Sequence, residues 1–299
     1  MKTTSIPKKD LYAQVTDEII ATLVGGKTSH LMWARSGDSM PRNHKTGTAY
    51  QGINVLLLWA AAATGGYSSD RWLTYKQATE MGGQVRKGER SVTCVFFKTL
   101  ETKPEHEGEE AEQLHSMRMI KPFWLFNLDQ IDGMDKPQAV EPLNEFQQIE
   151  AAESVLIHSG ADISEIGEKA FYQPSTDKIY LPKRNRFASG IEFYSVALHE
   201  LTHWTGAKHR LARDFAKRFG SEAYAFEELI AELGSAFLNA ELGVVASMIP
   251  NHAGYIDSWL KVLKNDKRAI FTAASQASKA HSYIMDLVGG RNQIGRQAA

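Results

Sequence analysis

Hydrophobic residues recur at helical spacing along much of this chain. Near the N-terminus, Leu11, Val15 and Ile19 lie about one turn apart, and two consecutive glycines then end the run. Thr74 is the predicted N-cap of a short helix. The same signals together predict helices over residues 9–23, 53–63, 73–81, 144–158, 190–206, 223–242 and 255–265.

Three other segments are rich in β-branched and aromatic residues and predict strands. Residues 91–100 and 116–127 flank an acidic insert with Pro and Gly, residues 101–112, which predicts a hairpin loop. A short extended segment, residues 178–182, is the third. Strands therefore alternate with helices early in the chain, whereas helices dominate later.

This distribution predicts an α+β protein of two domains. A small α+β domain covers residues 1–135, a Pro-containing linker covers residues 136–143, and a mostly α domain covers residues 144–299. The length of 299 residues and the hydrophobic fraction of 43% allow each domain its own core.

The composition indicates a soluble cytoplasmic protein. Cys94 is the only cysteine, which excludes a disulfide framework and a cysteine-based zinc site. The longest apolar run, residues 55–63, is far shorter than the roughly 20 residues that span a bilayer. The first residues lack the apolar core of a secretory signal. We expect no membrane partner.

Charge is distributed unevenly along the chain. Residues 1–98 contain 13 basic and 7 acidic residues, and residues 99–150 contain 4 basic and 12 acidic residues. The basic segment favours a polyanion as its partner. The overall charge of −1 argues against a protein that imitates DNA, which would need a large negative excess.

The strongest chemical signal is His-Glu-Leu-Thr-His in the helix predicted over residues 190–206. His199 and His203 share one helix face, so both imidazoles can bind one ion. Glu200 is rotated by about 100° from His199 and can act as a general base towards water that the metal activates. Two histidines on a helix can also be surface residues, but the apolar neighbours indicate a buried helix.

A third ligand is expected in the helix predicted over residues 223–242. There Glu228 and Glu232 lie one turn apart, in a pattern that resembles the Glu-x-x-x-Asp arrangement of glutamate zincins. That resemblance implies that Glu228 binds the metal and that Glu232 accepts the free N–H of a ligating histidine, with Glu232 as the alternative ligand. Glu227, rotated by about 100°, is expected to be solvated. His209 is a weaker candidate ligand.

The basic N-terminal region also contains many aromatic residues, a combination that suits single-stranded nucleic acid. Aromatic side chains stack on bases, and Lys and Arg contact phosphates. The alternative is that several of these aromatic residues belong to the core. The candidate DNA contacts are Trp33, Arg42, Lys45, Tyr50 and Arg86.

Long motifs in both halves resemble one known family. The N-terminal motifs are MPRNHKTGTAYQGINVLLLW, RWLTYKQA, GGQVRKGE and FNLDQIDG, and the C-terminal ones are DKIYLP, FYSVALHELTHWTG and YAFEELIAELG. Together they resemble the ArdC family of antirestriction proteins. The resemblance implies an N-terminal single-stranded DNA-binding domain, a zincin-like metallopeptidase domain, and protection of incoming plasmid DNA from host restriction during conjugation.

Three functions remain open at this point. The first is a DNA-binding antirestriction protein with a metal-dependent peptidase site, whose partner could be a host restriction protein. The second is a non-enzymatic protein that coats single-stranded DNA and holds a structural metal. The third, an ordinary cytosolic peptidase, is disfavoured by the basic N-terminal region. The ion is expected to be divalent, with Zn²⁺ favoured and Mn²⁺ or another ion possible for a His₂Glu set.

Overall fold

The computed structural model describes residues 10–25, 39–102, 115–135, 145–213, 222–244 and 253–297. The helices are α1 (Leu11–Gly25), α2 (Ile53–Gly65), α3 (Tyr75–Glu80), α4 (Glu145–Ser159), α5 (Gly190–Trp204), α6 (Glu222–Leu242), α7 (Ala253–Asn265) and α8 (Ala269–Gln297). The strands are β1 (Arg42–Asn43), β2 (Arg71–Leu73), β3 (Gln84–Val85), β4 (Val92–Thr102), β5 (His115–Asn127), β6 (Ile131–Asp132), β7 (Asp162–Glu165), β8 (Phe171–Gln173) and β9 (Lys178–Leu181). The α+β class is confirmed.

The N-terminal half is built on a sheet of order β1-β2-β5-β4. Its main part is the predicted hairpin of β4 and β5, paired antiparallel from Val92↔Leu125 to Thr102↔His115. The predicted cap of α3 is also confirmed, because the Thr74 side chain accepts a hydrogen bond from the backbone N–H of Gln77. Most of the acidic insert and the linker lie outside the described residues.

Helix α2 is strongly apolar, and most of its residues from Ile53 to Ala60 are buried. Leu58 packs against Trp72 and Leu125 of the sheet. Trp59 lies on a different side of the helix and packs against Phe237 of α6, with a ring-centroid distance of 5.7 Å. Gly66 caps the end of the helix, and its φ of 66° is left-handed and therefore suits glycine.

The largest hydrophobic cluster joins the two halves of the chain. It contains Val15 and Ile19 of α1 together with Trp259 and Leu263 of α7, and it extends into α2, α6 and α8. Polar contacts reinforce this packing: the Thr16 hydroxyl donates to the backbone carbonyl of Lys267. The N-terminal helices thus pack directly on the C-terminal ones.

The C-terminal half combines helices with a small mixed sheet of order β7-β9-β8. Strand β9 confirms the predicted extended segment, whereas β7, β8 and the long helix α8 are additional to the predicted elements. Helix α5 packs against this sheet, α4 and α6. No helix in the described part of the chain combines the length and apolar character needed to cross a bilayer.

Candidate metal centre

Helix α5 carries the His-Glu-Leu-Thr-His motif into the protein interior. The helix begins after Ser189, whose hydroxyl accepts a hydrogen bond from the backbone N–H of Glu192. Every residue from Phe193 to Trp204 is buried. His199 and His203 are therefore fixed by the surrounding core, with their ring centroids 4.9 Å apart.

A glycine allows α6 to approach α5 closely. A methyl group on Gly234 would lie only 2.5 Å from Cγ2 of Thr202, so no larger residue fits without movement. The Thr202 hydroxyl donates to the carbonyl of Leu198 within its own helix and leaves the methyl group facing α6. This contact lies in the same helix pair as the histidines and Glu228, and it sets the distance between them.

The ligand atoms of His199, His203 and Glu228 lie within 4.8 Å of one another. One carboxylate oxygen of Glu228 is 3.5 Å from Nε2 of His199, and the other is 3.5 Å from Nε2 of His203. Two atoms bound at about 2.0 Å to a tetrahedral ion are about 3.3 Å apart. The three side chains therefore fit a divalent ion and leave a fourth position for another ligand.

Two further carboxylates face the other nitrogens of the histidine rings. Glu232 Oε2 is 3.7 Å from Nδ1 of His199. Glu227 Oε1 is 3.2 Å from Nδ1 of His203. Carboxylates at this position orient a ligating imidazole and increase its basicity.

The expectation that Glu227 is solvated is wrong. Its side chain is only 7% exposed and accepts hydrogen bonds from the Arg213 guanidinium, which is itself 4% exposed. Arg213 also donates to the carbonyl of Thr202 and to the hydroxyl of Thr205 at the end of α5. The position of Glu227 on α6 does not reveal this partner, because Arg213 belongs to the segment that follows α5.

The carboxylates shift the pKa values of both histidines. Burial alone lowers the pKa of His199, but the nearby carboxylates of Glu228, Glu232 and Glu200 outweigh it and raise the pKa to about 10. For His203, Glu227 and Glu228 likewise outweigh burial and raise the pKa to about 9. Burial raises the pKa of Glu228, yet its contacts with both imidazoles prevail and hold it well below its usual range. The site strongly favours cations.

The remaining predicted residues of the site lie at different distances from it. Glu200 is buried, and its charge contributes to the raised pKa of His199. His209 lies outside the ligand group: it is exposed, and its Nε2 is 3.4 Å from Asp177 Oδ2.

The predicted DNA-contacting side chains that the structure describes all form hydrogen bonds or ion pairs with other residues of the protein. Arg42 donates two hydrogen bonds to Glu241 of α6, and the Lys45 ammonium is 2.6 Å from Glu80. Trp33 lies outside the described residues.

The other two candidates have similar internal partners. The Tyr50 hydroxyl accepts from the Asn43 amide, and burial raises its pKa to about 12. Arg86 pairs with Glu89 at 2.7 Å and with Asp132 at 3.4 Å.

Comparison with known proteins identifies the family. Residues 9–126 match the model of the N-terminal domain of anti-restriction factor ArdC, and residues 150–276 match that of a zincin-like metallopeptidase. The crystal structure of the antirestriction protein ArdC from plasmid R388 is 40% identical, with a TM-score of 0.77, over 94% of this chain and 98% of that one. The chain belongs to the ArdC family. A Mn(II)-bound structure of R388 ArdC gives the same TM-score, which supports divalent metal binding in this family.

Other relatives of the ArdC family differ in length. The uncharacterized protein y4eC of Sinorhizobium fredii (strain NBRC 101917 / NGR234) is 41% identical over 281 residues, which are 92% of this chain and 91% of y4eC. Two DNA primases TraC of Escherichia coli are 38% identical over 93% of this chain, which corresponds to 20% and 27% of their own lengths. An ArdC-like unit therefore also occurs within much larger proteins.

Proposed function

We propose that this ArdC-family protein binds single-stranded DNA and uses its metal centre as a peptidase, and that it thereby protects incoming plasmid DNA from host restriction in the cytoplasm during conjugation. The observation that carries the proposal is the convergence of His199, His203 and Glu228, with the buried Glu200 adjoining the ligands. Two imidazoles and a carboxylate make the ligand set of zinc peptidases, which leave one position open.

Each residue has a defined task in this proposal. His199, His203 and Glu228 would hold a divalent ion, which would supply Lewis-acid activation of water and of a peptide carbonyl. Glu200 accepts the proton from the attacking water and passes it to the leaving amine. Glu227 and Glu232 keep the imidazoles oriented through their Nδ1 atoms. Both Zn²⁺ and Mn²⁺ are compatible with this donor set.

The DNA part of the proposal is supported by charge and by the family. The first 98 residues have 13 basic against 7 acidic residues, and this region carries the match to the ArdC N-terminal domain. Buried residues of both halves share one hydrophobic core, which supports a fixed distance between DNA on the N-terminal half and the metal centre. A host restriction protein on the same DNA would then be at high effective concentration near the site.

The alternative is a DNA-coating protein with a structural metal. A structural zinc site is closed by four protein ligands, whereas here three described side chains converge and a buried glutamate adjoins them. This geometry favours the peptidase.

The test is the Glu200→Gln variant in a conjugation assay with a restricting recipient. We expect antirestriction to be lost while metal content and binding to single-stranded DNA remain. Full antirestriction by this variant would instead support the coating function. As a control, Glu150→Gln on the exposed face of α4 should behave like the unchanged protein.

A further inference from the structure

The register of the β4–β5 hairpin places two aromatic rings and two lysines on one face. Phe96 pairs directly with Lys121, and Cys94 pairs with Phe123. Because side chains alternate along a strand, Lys98 points to the same side as Phe96, and Lys121 to the same side as Phe123. We name these four residues, Phe96, Lys98, Lys121 and Phe123, the hairpin strip.

The strip begins where the core under the hairpin ends. Cys94, on the same face, is fully buried against Leu58 and Trp72. Two residues further along, Phe96 is 45% exposed, and its ring lies 6.1 Å from that of Phe123. An aromatic face of this kind offers a stacking platform to a base, and the sequence-independent binding of single strands relies on such platforms.

The two lysines of the strip lack the carboxylate partners that most described cations of the N-terminal half have. Neither Lys98 nor Lys121 forms an ion pair with any residue that the structure describes. In contrast, Arg42, Lys45 and Arg86 are all held by carboxylates. The strip therefore has positive charge available for phosphates beside its aromatic rings.

Among the side chains that the structure describes, those on the opposite face of the hairpin offer aromatic surface with less free charge. There Trp124 is 54% exposed, and Tyr75 packs on Phe126 at 6.3 Å. The neighbouring Lys76 faces Glu80 at 3.7 Å. A polyanion gains more on the face whose lysines lack such a carboxylate.

We propose that the hairpin strip is the surface on which single-stranded DNA stacks, an inference that rests on the DNA binding in the proposed function. Bases stack on Phe96, and Lys98 and Lys121 contact the adjoining phosphates. The strip replaces the ion-paired residues Arg42, Lys45 and Arg86 as the principal contact.

The test is fluorescence anisotropy of a labelled oligothymidine with the full-length protein at several salt concentrations. Phe96→Leu keeps an apolar side chain but removes the stacking face, and we expect at least fivefold weaker binding, whereas Phe96→Trp retains binding. The double variant Lys98→Gln/Lys121→Gln should reduce the slope of log K against log salt by about 1.4, or about 0.7 for each phosphate contact.

Matched controls lie in the C-terminal half. Phe171 is 44% exposed and stacked on Tyr180, and Lys208 is exposed, so Phe171→Leu and Lys208→Gln should bind like the unchanged protein. Strip variants with unchanged DNA affinity and unchanged salt dependence would overturn the assignment. So would a loss of DNA binding in Trp124→Leu, on the opposite face, that the strip variants do not show. If the unchanged protein itself fails to bind, the DNA part of the proposed function fails together with the strip.

Discussion

Glu227 holds the imidazole of His203 from the side opposite to Glu228. Its Oε1 atom is 3.2 Å from Nδ1, whereas Glu228 Oε1 is 3.5 Å from Nε2 of the same ring. Losing such an outer carboxylate costs about 10–100-fold in metal affinity. We expect this loss for Glu227→Gln in a titration with Mn²⁺ followed by electron paramagnetic resonance. Unchanged affinity would show that the ring is oriented without it.

Arg213 joins the end of α5 to Glu227, and both side chains are almost fully buried. Removing one partner of a buried ion pair leaves the other charge uncompensated, which costs about 3–5 kcal/mol. We expect Arg213→Ala to lower the free energy of unfolding in urea by about this amount. Arg186→Ala is the control, because Arg186 pairs with Glu168 at the surface and should cost at most about 1 kcal/mol. Similar losses for both variants would contradict the role of burial.

The sequence predicted the elements that have strong local signals. Helix periodicity and caps indicated seven helices, including α5 and α6, and so placed His199, His203 and Glu228 on facing elements. Helix α8 was missed because much of its buried face consists of small, weakly hydrophobic residues such as Ala273, Ala277 and Ala280. Strands β7 and β8 were missed because segments of three or four residues carry little pattern.

Contacts between distant segments could not be predicted in this way. The pairing of Arg42 with Glu241 joins residues that are 199 positions apart. The burial of Glu227 depends on Arg213, which reaches it from another segment. Local periodicity reveals neither contact. Arg42, a candidate DNA contact, and Glu227, expected to be solvated, therefore both proved to have ion-pair partners within the protein.

The contact between Gly234 and Thr202 provides a test of the helix spacing. Gly234→Ala adds a methyl group that would lie 2.5 Å from Thr202 Cγ2, so the helices must move apart. Overpacking of this kind costs about 1–3 kcal/mol, and we expect a lower melting temperature and weaker Mn²⁺ binding. Thr202→Ser removes the methyl group concerned and should restore much of both in the double variant. A single variant as stable as the unchanged protein would refute the spacing argument.

Metal binding should depend on pH because the ion competes with protons. The pKa values of His199 and His203 are raised to about 10 and about 9. Both imidazoles are therefore in the cationic, doubly protonated form at neutral pH, and a metal ion must displace one proton from each ring. Mn²⁺ affinity should therefore rise with pH between about pH 6 and pH 9, with proton release on binding. Calorimetry in buffers of different ionisation enthalpy measures the protons released. Affinity that does not change over this range would contradict the coupling.

We infer that His199, His203 and Glu228 together hold one metal ion. The most direct measurement is the metal content of purified protein after incubation with Mn²⁺ and gel filtration. We predict about one ion per chain for the unchanged protein and for His209→Ala, and none for His203→Ala or Glu228→Ala. Glu232→Ala should still bind one ion at saturation, with lower affinity. A Glu228→Ala protein that retains a full equivalent would contradict the account and assign the third ligand to Glu232.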